Sequence, residues 1–174
     1  MSAININKNT ILEDIFSQYL DYNPDLKDKY GEVNTPFFFI NRMLMIIPEK
    51  YFKNKDLKWL DAGAGHGNYS ICLFFILFQS LKESIPNDEE RKKHIIDNMI
   101  YMVELNNDNI PFLRDKFGDN ANIIETNYLE WNTNIRFDFI IGNPPYNFNG
   151  VKKVPTKNNI NKKEDGKTIW CEFV

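Results

Sequence analysis

The sequence Leu57-Lys58-Trp59-Leu60-Asp61-Ala62-Gly63-Ala64-Gly65-His66-Gly67-Asn68 decides the fold of this chain. Its first four residues predict a strand, its glycines a tight turn, and the apolar residues that follow a helix to about residue 82. This order is typical of an α/β domain that wraps a nucleotide-like ligand, because glycines let the backbone approach it. The spacing is Gly-x-Gly-x-Gly, however, which argues against a dinucleotide phosphate site.

Three more strands are predicted downstream, with one helix between the first two. We place the strands at residues 100–103, 122–126 and 137–141, and the helix at residues 107–117. Alternating strands and helices predict an α/β fold with a mostly parallel sheet. The long interval before the second strand predicts an insertion at residues 85–99, with a charged and solvated stretch at residues 84–93.

Polar side chains stand at the end of each predicted strand. They are Asp61, Glu104, Asn127 and Asn143. Each alone also fits an ordinary strand-end residue, but the carboxyl ends of parallel strands meet at one edge of a sheet, so we expect one crevice. There Glu104 is suited to accept hydrogen bonds from ribose hydroxyls, and Tyr128, after Asn127, to pack on a ligand ring.

The last strand runs into Ile140-Ile141-Gly142-Asn143-Pro144-Pro145-Tyr146. Pro144 and Pro145 lack N–H groups and have a restricted φ, so the loop offers carbonyl oxygens and the Asn143 amide to a partner. Tyr146 adds a flat stacking surface. Such a pocket suits a planar group that bears an NH2, although the Pro-Pro pair alone also fits an ordinary turn after a core strand.

Upstream, an apolar stripe after Thr10 predicts a helix within the first 29 residues. Thr35 is predicted to cap a second, almost wholly apolar helix at residues 37–47, with Pro36 as its first residue. We expect this helix to lie against the core. Its N-terminus would suit a carboxylate, although this segment taken alone is better explained as a plain capped helix.

Composition limits the class of protein. The chain has 174 residues, 43% of them hydrophobic, which is enough for one domain with a core. The net charge of −3 gives no support for nucleic-acid binding, but the tail contains a basic patch. Cys72 and Cys171 lack metal-ligand spacing and are predicted to be reduced thiols of a cytoplasmic protein. No signal peptide or membrane segment is expected, because the apolar run at residues 71–78 is too short.

The order of these motifs resembles that of N6-adenine DNA methyltransferases of the γ arrangement, as in restriction-modification methylases. The matching parts are Tyr30-Gly31-Glu32-Val33-Asn34-Thr35-Pro36, Asp61-Ala62-Gly63-Ala64-Gly65, Glu104, Asn127 and Asn143-Pro144-Pro145-Tyr146. They span residues 30–146, about two thirds of the chain. The resemblance implies a Rossmann-like sheet that binds S-adenosyl-L-methionine (S-adenosylmethionine) and transfers its methyl group to N6 of adenine.

The resemblance also implies a role for each matching residue. Thr35 and Pro36 would hold the methionine end of the cofactor, and Glu104 its ribose hydroxyls. The floor beneath it would consist of Asp61, Ala62, Gly63 and Gly65, and the adenine end would meet Asn127 and Tyr128. Asn127 stands where the family usually has Asp, and its amide oxygen can still accept a hydrogen bond.

Catalysis would act on an adenine flipped out of DNA. The Asn143 oxygen and the Pro144 carbonyl would accept the two N6 hydrogens, in a loop shaped by Pro145, while Tyr146 stacks on the base. Transfer would be direct, with no metal ion.

The sequence departs from the family after this motif. Residues 147–174 predict a mobile loop and the start of a helix, so the sheet is expected to be C-terminally truncated, without a DNA-recognition domain. Either a missing segment or a separate chain would supply the rest. Two alternatives stay open: a methyltransferase acting on a protein glutamine amide or on RNA adenine, and a non-catalytic remnant or subunit.

Overall fold

The computed structural model describes residues 35–143. The predicted N-terminal helical extension at residues 1–29, motif residues 30–34 and the tail at residues 147–174 lie outside the described residues. Pro144, Pro145 and Tyr146 of the proline loop also lie outside them, so their predicted roles stay predictions.

The described residues form a four-stranded parallel sheet, as the sequence predicts. Its strands are β1 (Trp59–Ala62), β2 (Ile100–Glu104), β3 (Asn122–Glu125) and β4 (Phe139–Ile141). β1 and β4 both begin two residues later than predicted. Immediately before them, the Lys58 N–H donates to the Asp138 carboxylate at 2.8 Å and the Asp138 N–H donates to the Lys58 carbonyl at 2.9 Å.

The sheet order is β3-β2-β1-β4. The chain therefore moves outward from β1 through β2 to β3 and then returns to the other edge of β1. Where the direction of strand addition reverses, the loops after the two neighbouring strands diverge and leave a crevice at their carboxyl ends. In this chain the crevice lies between the ends of β1 and β4, which lead to Gly63 and Gly142.

Two helices precede β1, and further helical segments follow β1 and β2. They are α1 (Phe37–Leu44), α2 (Glu49–Phe52), α3 (Asn68–Ser80), α4 (Asp88–His94), a π-helical turn (Ile95–Met99), a 3-10 turn (Asn107–Asn109) and α5 (Ile110–Phe117). The three helices predicted within the described residues are therefore present. No helix of residues 35–143 is long and apolar enough to cross a membrane.

Aromatic side chains build the core beneath the sheet. Trp59 of β1 is fully buried and stacks between Phe52 of α2 and Phe139 of β4, with ring centroids 5.3 and 4.2 Å away. On the opposite face, Leu60 packs under side chains of the segment that leads into β4, including Trp131 and Phe137. Burial on both faces explains why β1 is a continuous apolar strand apart from one acid.

α1 lies against the core, as predicted, but through one face only. It ends at Leu44 rather than residue 47, and only Phe37, Ile40 and Leu44 are buried. These three lie at helical spacing on the face that packs on α3. The opposite face is exposed and includes Phe38 and Phe39.

The predicted insertion is a helix followed by a π-helical turn, and its charged stretch is mostly exposed, as predicted, except at Arg91. Arg91 of α4 is only 2% exposed. Its guanidinium donates to the carbonyls of Ile85 and Pro86 at 2.6 and 3.2 Å, and it pairs with Asp88 at 2.6 Å. It also lies 4.1 Å from the ring centre of Phe78. One buried cation thus attaches the insertion to α3.

We predict that Arg91→Met lowers the free energy of unfolding by about 2–3 kcal/mol, because two carbonyls in part-buried hydrogen bonds lose a charged donor. Urea unfolding of the purified chain measures the change. Glu90→Ala, an exposed substitution on the same helix, should cost less than about 1 kcal/mol. If both variants lost equally little stability, Arg91 would not anchor the insertion.

Candidate functional site at the carboxyl ends of the strands

The glycine-rich turn after β1 is held by the end of β2. The N–H groups of Gly63 and Ala64 both donate to the Val103 carbonyl, at 3.0 and 2.9 Å. The N–H of Gly65 donates to the Glu104 carboxylate at 2.6 Å. These amides are therefore already bonded, which agrees with the expectation that the turn is not a phosphate cradle.

All three glycines of the turn have a positive φ, which other residues rarely adopt, and two of them show what glycine allows here. Gly63 has a φ of 113°, and a Cβ added there would meet nothing within 4 Å, so the backbone borders open space. Gly67 has a φ of 83°, and a Cβ added there would come within 2.9 Å of Leu113 on α5. Gly63 leaves room for a ligand, whereas Gly67 lets α3 and α5 pack closely.

Glu104 has a structural role besides the predicted contact with ribose. Its second oxygen accepts from the Asn106 N–H at 2.6 Å, and the residue is 7% exposed. A carboxylate offers about four acceptor positions, so these two bonds do not exhaust its capacity. The sequence analysis did not predict the role of Asn106. Its position two residues after Glu104 could have indicated that its N–H reaches the carboxylate.

Asp61 is a buried carboxyl beneath the crevice. Its Oδ2 accepts from the Ser70 hydroxyl at 2.8 Å, whereas its Oδ1 is buried without a hydrogen-bond partner. A Cβ added to Gly142 would lie 3.3 Å from that Oδ1, so the loop after β4 passes directly over it. The pKa of Asp61 is raised to about 7, chiefly by burial; the Ser70 hydrogen bond opposes this rise and the charge of Glu104 adds to it.

Asn143 and Thr35 meet across the crevice. Asn143 Nδ2 donates to Thr35 Oγ1 at 3.1 Å, and Asn68 Nδ2, at the start of α3, donates to the Thr35 carbonyl at 3.2 Å. The predicted capping of α1 by Thr35 is wrong. α1 begins after Pro36 without a side-chain cap, and the Pro36 carbonyl accepts its first N–H bonds.

Asn127 and Tyr128 follow β3, at the far side of the edge. The Thr126 N–H donates to the Glu104 carbonyl at 3.0 Å, which ties this segment to β2. Asn127 is 7% exposed, and its Oδ1 accepts from the Leu129 N–H at 3.2 Å, so its side chain closes a turn. Tyr128 packs against the core on the second face of the sheet, and burial raises the pKa of its hydroxyl.

The structure thus arranges the predicted site residues along one edge. In spatial order the strand ends contribute Asn143, then Asp61 with Ala62, Gly63 and Gly65, then Glu104, then Asn127 with Tyr128, while Thr35 and Pro36 approach beside Asn143. Residues 35–143 contain no group of three or more His, Cys, Asp or Glu side chains that would hold a metal ion.

Comparisons with known proteins find similarity among solved structures only. No protein-family model matches the chain, and no curated protein matches it. A solved structure from Vibrio vulnificus YJ016, described as a modification subunit of a type I restriction enzyme, is 20% identical with a TM-score of 0.49. The match covers 74% of this chain, which spans about a quarter (27%) of that one.

We predict that Asp61→Asn flattens part of the pH dependence of stability. Unfolded, Asp61 titrates near 3.8, whereas the folded chain keeps its proton up to about pH 7. Between these values the folded state binds more protons, so the wild-type free energy of unfolding falls as pH rises, by a few kcal/mol at most. Asp61→Asn removes this contribution to the pH dependence of stability, because an asparagine side chain does not titrate.

Urea unfolding across about pH 4 to 8 measures the difference between wild type and variant. Asp56→Asn is the matched control, because it makes the same substitution at an exposed carboxyl. Parallel pH profiles for wild type and Asp61→Asn would contradict the assignment of the raised pKa.

Proposed function

We propose that this chain is the catalytic part of an S-adenosylmethionine-dependent DNA methyltransferase that modifies N6 of adenine. One observation carries the proposal: the loop that leads into Asn143 lies across the buried Asp61 carboxyl, at the point where the strand order reverses. Ligands of open α/β sheets bind at this point, and it brings the two motifs of the resemblance together.

The residues present fit the proposed cofactor. Asp61 has a buried carboxyl oxygen without a hydrogen-bond partner, which a cationic ligand would compensate. Gly63 leaves open space where any other residue would place a side chain. S-adenosylmethionine is a cation that also offers a carboxylate, two ribose hydroxyls and an adenine. In this assignment Thr35 and Pro36 meet its methionine end, Glu104 its ribose hydroxyls and Asn127 its adenine.

When bound, the cofactor would supply a methyl group that its positively charged sulfur makes reactive. Asn143 would act on the other reactant. Its amide oxygen accepts a hydrogen from the substrate NH2, which draws electron density onto the nitrogen and aims its lone pair. The cofactor would supply the methyl group, which would exchange its bond to sulfur for a bond to this nitrogen, and the surplus proton on the nitrogen would leave to solvent. Positioning and hydrogen-bond electrostatics supply the catalysis.

We predict that Asn143→Ala abolishes methyl transfer, with at least a ~100-fold loss of kcat, but spares cofactor affinity. Titration calorimetry with S-adenosylmethionine measures affinity, and transfer of labelled methyl to adenine-containing DNA measures activity. Asn120→Ala, an exposed substitution away from the crevice, is the control.

The product separates the proposed function from its alternatives. Labelled N6-methyladenine in DNA supports it, whereas label only in RNA or in glutamine-containing peptides assigns the site to another amine or amide. Saturable cofactor binding without transfer to any of these acceptors would indicate a binding subunit. A folded chain that binds no S-adenosylmethionine would refute the cofactor assignment.

We predict that cofactor affinity rises with pH up to about 7, because the cation is favoured once Asp61 has lost its proton. Below that pH the dissociation constant should increase by up to about tenfold per pH unit. Asp61→Asn should bind more weakly and with a flatter pH profile. A wild-type slope that persists in Asp61→Asn would assign the pH dependence to another group.

A further inference from the structure

The hydroxyl of Thr35 lies where three distant parts of the chain meet. It accepts from the amide of Asn143, which is 108 residues away, at 3.1 Å. The backbone of Thr35 is fixed separately, because its carbonyl accepts from Asn68 at the start of α3 at 3.2 Å. α1 makes no use of the hydroxyl, since it begins without a side-chain cap.

The contact is made by the nitrogen of the Asn143 amide, not by its oxygen. The side-chain nitrogen and oxygen of asparagine lie at opposite corners of one planar group. When Nδ2 donates to Thr35, the plane and direction of the group are set, and Oδ1 points away from Thr35. A rotation that exchanged the two atoms would place Oδ1 against the hydroxyl and turn the NH2 toward a substrate amine, where it could not accept a hydrogen.

A threonine hydroxyl has two acceptor positions and one hydrogen to donate. Accepting from Asn143 therefore leaves its own hydrogen for another acceptor. In the proposed function, Thr35 contacts the methionine end of the cofactor, so the acceptor is the carboxylate of the cofactor. Donation to a carboxylate polarises the hydroxyl and strengthens the bond that it accepts.

We propose that Thr35 is a positioning residue for Asn143, and that its hydroxyl couples cofactor occupancy to the orientation of the catalytic amide. The inference rests on the proposed function and deepens it, because Thr35 then affects the methyl-transfer step as well as binding. The consequence is an ordered site, in which the acceptor for the substrate amine is held most firmly when the methyl donor is present.

Steady-state kinetics test the effect on the transfer step. Thr35→Val keeps the size of the side chain and removes its hydroxyl, whereas Thr35→Ser keeps the hydroxyl. We expect Thr35→Val to lose about 10- to 100-fold in kcat at saturating S-adenosylmethionine, and Thr35→Ser to recover it to within about threefold. A Thr35→Val variant with raised KM for the cofactor and unchanged kcat would overturn the inference, because Thr35 would then only bind.

Nuclear magnetic resonance tests the contact without activity. In the 15N-labelled full chain, the side-chain NH2 signals of Asn143 are those lost in Asn143→Ala. We expect the chemical shifts of these signals to differ between wild type and Thr35→Val. Addition of S-adenosylmethionine should change them in wild type but not in Thr35→Val. Thr133→Val is the control, since it removes a hydroxyl that accepts from the Ile135 N–H elsewhere.

The two readouts separate the failure of the inference from that of the proposed function. Asn143 signals that are unchanged in Thr35→Val overturn the inference, whatever the wild type catalyses. If the Asn143 signals shift in Thr35→Val but the wild-type chain transfers methyl to no acceptor, the contact is supported and the proposed function is refuted. The backbone signals of the other residues show whether each variant is folded. If Thr35→Val does not fold, Thr35→Ala takes its place.

Discussion

The pairing of β1 on both of its edges is the constraint on which the rest of the described structure depends. Hydrogen bonds to β2 and β4 satisfy its backbone, and its four residues, Trp59–Ala62, are all buried. Because side chains alternate between the two faces, a shift by one residue would take Trp59 out of its aromatic stack and Asp61 away from Ser70. The register is therefore fixed, and with it the point at which the chain leaves the sheet and begins the glycine-rich turn.

The same hydrogen bonds that hold the crevice together also limit what it can bind. Glu104 and the Val103 carbonyl use the N–H groups of the turn, so an anion would find few free donors there. Asp61 instead leaves a carboxyl oxygen unbonded. The glycine-rich turn is thus poorly suited to a phosphate. Because backbone donors fix the acidic side chains, little ordering of the protein would be needed on binding.

Much of the fold follows from local patterns, whereas the contacts that define the site do not. Strands, helices and the glycine turn were predictable because apolar periodicity and backbone preference act over a few residues. The strand starts were misplaced because Lys58 and Asp138 bond to each other before the ladder begins. The burial of Arg91 and the contact between Thr35 and Asn143 depend on packing between distant segments, which no periodicity encodes. The candidate site beyond Asn143 stays a prediction.

The position of β4 next to β1 also sets the order in which the domain can be completed during synthesis. β2 and β3 leave the ribosome before β4 and can extend the sheet in one direction only. The other edge of β1 stays open until residues 139–141 have emerged and a long chain segment has closed back on itself. Asn143 follows immediately. A nascent chain can therefore have its glycine-rich turn and acids in place before it has the amide of Asn143.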